Sequence, residues 1–215
     1  MNPWSLAYSR LPLVLGALIL LVFGGCGFEK PYPAINAFDL SPASSPPPTL
    51  NQVRPKVVRV SQFSQSAAYE TRKLIYKTTK GLMVEDFYNE LVAPPSRLLA
   101  DSVATYLNLR SPSAQFVRTQ GQKGADYVLE GFLSECLGDF SQDPPLARIT
   151  LSVTLNDIRR DKVKIVLART YQSQLAFKSN LDRPAPELIA ALTEAWAQIL
   201  ASMDKDLEQI LGQKS

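Results

Sequence analysis

A strictly alternating segment in the second half of the chain sets its fold class. Apolar and polar residues take turns from 149 to 156, with the apolar ones at Ile149, Leu151, Val153 and Leu155. Because successive side chains of a strand point to opposite faces, this pattern predicts a strand with one face in the core. A second run of this kind extends over residues 163–177, and a turn is expected between the two. The sequence therefore predicts two long, antiparallel neighbouring strands.

Two segments have helical spacing. The longer, residues 184–211, carries apolar side chains three and four positions apart, at Leu188, Leu192, Trp196, Ile199, Met203, Leu207 and Ile210. This spacing predicts an amphipathic helix whose apolar stripe packs on the core rather than on a coiled-coil partner. A second helix is predicted from Pro94-Pro95 to about Asn108, because proline is tolerated in a first helical turn.

Shorter β-branched and aromatic runs predict the remaining strands, at residues 57–63, 74–76, 83–88, 116–117 and 127–137. The second and third of these runs flank a turn at Lys80-Gly81, which predicts a hairpin. The segment 38–40 is a candidate for a short edge strand that docks on the domain. Strands that alternate with helices indicate the α/β class.

The composition excludes much catalytic chemistry. The chain has no histidine, which removes Ser-His and Cys-His nucleophile pairs and histidine-ligated zinc sites. It has two cysteines, Cys26 and Cys136, without a CxxC pair, and Cys136 is interpreted as a small buried hydrophobe. Acidic residues close in sequence, such as Glu85 and Asp86, are interpreted as a solvated face. We therefore expect a binding protein and no enzyme, without a cofactor or a metal site.

The charge balance gives a weaker indication about partners. Lysine and arginine number 23 and acidic residues 20, and we find no basic run that concentrates this excess. Nucleic acid is therefore not expected as a ligand.

The N-terminus is typical of an exported protein. Residues 11–23 are apolar but shorter than the roughly 20 residues that a membrane-spanning helix needs, so they have the length of a secretory signal. Gly24-Gly25-Cys26 then resembles a bacterial lipobox, which implies removal of residues 1–25 and acylation of Cys26. The alternative is an uncleaved anchor with a chance cysteine. Gly27 after the cysteine implies the outer membrane, with the folded domain in the periplasm.

A tether is predicted after the cysteine. Residues 31–55 are rich in proline and serine, which favours extended, solvated backbone over a packed core. The expected organisation is a signal peptide over residues 1–25, a lipidated tether over 26–55 and a single domain over 56–212.

Two motif blocks resemble the ABC-type transport auxiliary lipoproteins, which include the PqiC-like lipoproteins of MCE-type lipid transport. The blocks are Tyr69-x-Thr71-Arg72-x-Leu74-Ile75-Tyr76 and Val84-x-x-Phe87-Tyr88-x-x-x-Val92-Ala93-Pro94-Pro95. A later stretch, Ala125 to Gly131, is also similar. The likeness covers nearly all of residues 35–212, and it depends on the order and spacing of the motifs.

The resemblance implies a three-layer α/β domain with a mixed sheet of about five strands, similar to the N-terminal domain of TolB. It also implies a non-enzymatic accessory lipoprotein that acts beside an MCE-domain subunit, an ABC permease and an ATPase. The alternative is an envelope assembly or structural lipoprotein without a transport partner. Self-association into a homo-oligomer is left open.

One apolar segment is the candidate docking edge for such a partner. It comprises Phe87, Tyr88, Leu91 and Val92, ahead of Pro94-Pro95. Strand alternation sends neighbours to opposite faces, so one of Phe87 and Tyr88 is expected in the core and the other on the surface.

Overall fold

The computed structural model describes residues 34–42, 56–118, 124–178 and 184–213. Within these ranges the strands are β1 (Asn36–Phe38), β2 (Lys56–Val60), β3 (Ser64–Gln65), β4 (Lys73–Lys77), β5 (Met83–Leu91), β6 (Ala114–Val117), β7 (Tyr127–Asp139), β8 (Leu146–Asp157) and β9 (Lys164–Ala176). The α-helices are α1 (Pro95–Arg110) and α2 (Ala185–Leu211). Residues 1–33, with the predicted signal peptide and Cys26, lie outside the described ranges, as do residues 43–55 of the predicted tether.

Strand β7 organises one mixed sheet. Along one edge it pairs antiparallel with β8, which pairs antiparallel with β9, as the alternating sequence predicted. Along its other edge it pairs in parallel with three short strands in succession, β2, β3 and β4. Strand β6 extends the sheet beyond β2, and β5 followed by β1 extends it beyond β4.

The prediction of an α/β domain with a mixed sheet is confirmed, and so is the β4–β5 hairpin. The described sheet has nine strands where about five were expected. The figure of five came from the family resemblance, whereas the sequence patterns themselves predicted seven strands, which correspond to β2 and to β4 through β9. Strand β1 overlaps the predicted edge segment 38–40 at Phe38. Strand β3 was not predicted, because two residues are too few to show the period of two by which a strand is recognised in a sequence.

Both helices pack on the sheet and on each other. The apolar stripe of α2 is buried against β8 and β9, and Trp196 is fully buried at its centre. Its indole Nε1 donates a hydrogen bond to Ser102 Oγ of α1 at 2.6 Å. Both helices contact β7 and each other, so they pack together on the sheet.

Proline marks the helix ends that the sequence predicted. Pro95 occupies the first turn of α1, where its missing N–H has no acceptor to lose. The helix ends at Arg110 because Ser111 precedes Pro112 and takes an extended ψ of 121°. The residue before a proline is excluded from the helical region by a clash with the proline ring.

Strand β1 attaches the start of the described chain to the sheet. It pairs in parallel with β5 through Asn36 and Asn89 and through Phe38 and Leu91, and Leu40 follows into the core. The expected docking of residues 38–40 is therefore confirmed. By its internal contacts the compact unit runs from Ile35 to Ser215. Within the described ranges, no helix combines the length and the apolar character that a membrane crossing requires.

Candidate functional site

The predicted docking residues divide between surface and core. Phe87 and Tyr88 are 64% and 46% exposed, and Val92 is about half exposed. Leu91 is buried, because it lies opposite Phe38 of β1 and joins the core there. The structure therefore leaves Leu91 out of the exposed surface.

An irregular bulge of four residues in β5 explains why both aromatic side chains point outward. Lys73 of β4 pairs with Glu90, and Ile75 pairs with Glu85, so only Leu74 lies opposite the segment 86–89. We call residues 86–89 the aromatic bulge. Extra residues in one strand leave the ladder and lose its strict alternation. The expectation that one of the two rings enters the core is therefore wrong, and the rings instead contact edge to face with centres 5.0 Å apart.

The Asp86 carboxylate holds the aromatic bulge in shape. Its Oδ1 accepts hydrogen bonds from the backbone N–H groups of Tyr88 at 2.8 Å and Asn89 at 3.1 Å. Its Oδ2 accepts from Tyr76 Oη at 2.8 Å and from Asn89 Nδ2 at 3.0 Å. These bonds replace the ladder bonds that the bulge gives up.

Asp86 is buried, so its interpretation as part of a solvated face is wrong. Burial alone would raise the pKa of this carboxyl group. The hydrogen bonds that it accepts outweigh burial, and its pKa lies below the usual value. The group is therefore a charged, fully bonded clamp inside the sheet.

The edge strand β1 borders the aromatic bulge. Asn36 Nδ2 donates to Asn89 Oδ1 at 3.0 Å, and Val92 N donates to the carbonyl of Phe38 at 2.9 Å. Ile35, one residue ahead of the Asn36–Asn89 pair, is also exposed. The bulge and the edge strand thus present apolar side chains next to each other, and hydrogen bonds join β1 to the residues from Asn89 to Val92.

The other buried ionisable groups have structural roles. Asp139 lies where β4, β7 and β8 meet and accepts from Arg148 Nη1 at 2.9 Å, with Lys77 Nζ at 3.5 Å. Cys136 is buried, as predicted, and burial raises the pKa of its thiol to about 12. Among the described residues no group of histidine, cysteine or acidic side chains is arranged to hold a metal ion.

A second surface was missed by the sequence analysis. A pocket of about 300 Å³ at the β8–β9 turn is lined by five cations, Lys56, Arg159, Arg160, Lys162 and Lys164, and by the single carboxylate of Asp157. The statement that no basic run concentrates the positive charge is therefore wrong. The signal was present in the segment 159–164, where four of six residues are basic.

Comparison with known proteins identifies the fold. No protein-family model matches the sequence, and the search of curated proteins found no match. A protein from Xanthomonas campestris assigned to the family DUF330 aligns with 80% of this chain and 95% of its own, at 20% identity and a TM-score of 0.64. An uncharacterized protein aligns with 81% of this chain and 99% of its own, at 14% identity and a TM-score of 0.62. This chain therefore shares its α/β fold with a DUF330 protein.

Proposed function

We propose that this chain is a non-enzymatic, lipid-anchored accessory protein of an MCE-type lipid transport system in the cell envelope. In this proposal Cys26 carries the lipid, the domain lies in the periplasm, most simply at the outer membrane, and the aromatic bulge docks on the MCE-domain subunit that works with the ABC permease and ATPase. The sequence resemblance is the reason for proposing an MCE-type transport system, and the fold shared with a DUF330 protein is compatible with this role.

The observation that carries the proposal is the aromatic bulge. Two neighbouring aromatic rings are exposed, although most of their area is apolar and its burial would lower the free energy. A buried carboxylate with four hydrogen bonds keeps them there, so their exposure is built into the backbone. Rigid exposed aromatic side chains are typical anchors of protein–protein interfaces. The bulge is therefore the preferred docking site.

The lipid anchor is tested by replacing the predicted acceptor. Cys26→Ser removes the thiol to which a lipid would be attached, so the chain is expected to leave the membrane fraction or to keep residues 1–25. Fractionation and mass spectrometry of the N-terminus in the native host distinguish these results from wild type. An intact, unmodified N-terminus in the wild-type membrane fraction would contradict the anchor.

Docking is tested by replacing Phe87, the more exposed of the two aromatic residues, with a charged residue. Phe87→Glu is expected to abolish co-purification of the MCE-domain subunit, because a carboxylate would have to lose its hydration in the interface. Phe87 is well exposed, so the melting temperature should be unchanged. The measurement is affinity purification of the full chain from detergent-solubilised membranes, with partners identified by mass spectrometry.

Phe132→Glu is the matched control, since Phe132 is also an exposed aromatic residue but lies on β7. It should retain the partner. Normal capture by Phe87→Glu would exclude the aromatic bulge as the docking site. If the wild-type chain captures no MCE-domain subunit at all, an assembly or structural lipoprotein becomes the better explanation.

A further inference from the structure

The turn between β8 and β9 forms an exposed tip at the end of β7 remote from β4. Asp157 of β8 pairs with Tyr127, the first residue of β7, whereas β4 pairs with its last two residues. Strand β7 has 13 residues and is therefore roughly 40 Å long. We call residues 160–165 the basic tip. The aromatic bulge, next to β4, lies toward the other end of β7, so both surfaces can be occupied together.

Positive charge is concentrated in the pocket beside the basic tip. Its lining holds five cations against one carboxylate, whereas the entire chain has an excess of only three positive charges. Such an imbalance in a concave site attracts anions. The pocket lining also includes Tyr127 and the partly buried side chains of Val166 and Ile210.

Two of the five cations are engaged by the protein itself. Arg159 pairs with Asp157, with Nη2 at 2.7 Å from Oδ2, and its guanidinium lies 4.9 Å from the centre of the Tyr127 ring. Lys56 Nζ donates to the carbonyl oxygens of Leu211 and Gln213. These two lining residues are thus held by contacts within the protein.

The other three cations, Arg160, Lys162 and Lys164, are exposed. Lys162 and Lys164 form no salt bridge within the described part of the chain, and Arg160 acts on Asp157 only through space. Their ammonium and guanidinium groups are thus available to an external anion. Phosphate groups are suitable ligands for both types of side chain.

Two exposed aliphatic residues alternate with the two lysines, Val163 between Lys162 and Lys164 and Ile165 directly after Lys164, and they indicate which kind of anion is bound. Val163 is 66% exposed and Ile165 is 61% exposed. A soluble phosphate or a nucleic acid backbone offers no apolar surface against which these side chains could be buried. A lipid bilayer does, because branched aliphatic side chains enter the region between headgroups and acyl chains while neighbouring lysines contact the phosphates.

We propose that the basic tip binds the surface of an anionic bilayer, with Arg160, Lys162 and Lys164 on lipid phosphates and Val163 and Ile165 inserted between the headgroups. This binding is independent of the lipid on Cys26 and of the MCE partner.

Vesicle capture tests the proposal with the full chain. The chain is reconstituted into neutral phosphatidylcholine vesicles, so that the lipid on Cys26 is already inserted in a membrane. Flotation verifies the amount incorporated. Capture of a second, labelled set of vesicles is then measured, either neutral or containing phosphatidylglycerol. Wild type is expected to capture only the anionic set, and less of it as salt is raised. Equal capture of neutral vesicles would overturn the proposal.

Charge removal gives the sharpest result. One cation near an anionic surface increases binding about fivefold, so the triple variant Arg160→Gln, Lys162→Gln, Lys164→Gln should capture about a hundredfold less. The matched control, Lys80→Gln, Arg97→Gln, Lys178→Gln, removes the same charges from exposed positions that do not line the pocket. It should capture like wild type. Equal losses in the two variants would show a net-charge effect and overturn the site.

Two further arms separate a bilayer from a soluble anion. Val163→Ser, Ile165→Ser should lower capture at least about fivefold, because bilayer binding scales with the apolar area that is inserted. Unchanged capture would overturn insertion. Millimolar inorganic phosphate, compared with potassium chloride of equal ionic strength, should have no specific effect. Specific inhibition by phosphate would assign the pocket to a soluble phosphate and overturn the bilayer.

Discussion

Trp196→Ala is expected to lower the free energy of unfolding by about 3 to 5 kcal/mol, a large fraction of the stability of an ordinary domain. The indole is fully buried where α2 meets α1, so its loss leaves a cavity. The change also removes the hydrogen bond that Trp196 Nε1 donates to Ser102 Oγ. Urea denaturation followed by circular dichroism measures the effect.

Trp196→Phe is the control for that result. It keeps much of the apolar volume and loses the hydrogen bond, so it should cost clearly less than the alanine variant. An unchanged midpoint in Trp196→Ala would mean that the stripe of α2 does not pack on the sheet in solution, and would contradict the packing described for this helix.

Asp86→Ala is expected to destabilise the domain by about 2 to 4 kcal/mol and to release the aromatic bulge. The change removes the carboxylate to which the N–H groups of Tyr88 and Asn89 and the hydroxyl of Tyr76 donate hydrogen bonds. Loss of the bulge should then weaken partner capture even though Phe87 is still present. Denaturation and the affinity purification described for Phe87→Glu measure the two effects.

The pH dependence gives an independent check on Asp86. Because the pKa of this carboxyl group is lower in the folded state than in the unfolded chain, its ionised form stabilises the fold. The stability difference between wild type and Asp86→Ala should therefore be constant at neutral pH. It should shrink as the pH falls below about 4, the usual pKa of an aspartate, and through the folded pKa. A difference that grows on acidification would show that Asp86 is not the ionised clamp described above.

Long periodic elements could be predicted from the sequence because their patterns repeat many times. The α2 stripe and the alternation in β8 place Trp196 and Leu151 in the core on simple counting, and the structure agrees. The aromatic bulge could not be predicted in this way. Its shape depends on a carboxylate that bonds to residues two and three positions ahead and to Tyr76 on the neighbouring strand.

The cationic pocket shows a different limit. Arg160, Lys162 and Lys164 are visible in the sequence, but Lys56 reaches the same pocket only because β2 and β7 pair at their beginnings. In the whole chain these cations are nearly balanced by acidic residues. Folding therefore produces a local excess of positive charge that the total composition does not reveal.

Strand β1 sets the length of the leash by which a lipid on Cys26 would hold the domain. Without β1 the spacer would run to Lys56 and reach on the order of 100 Å when extended, but the sheet takes up the chain from Asn36 onward. Cys26 and Ile35 are then separated by a stretch that spans at most about 30 Å. Insertions between residues 27 and 34 would lengthen this leash. Insertions between residues 43 and 55 would lengthen only the chain between two points of the same domain, so a three-residue strand decides which part of the linker limits the distance from the membrane.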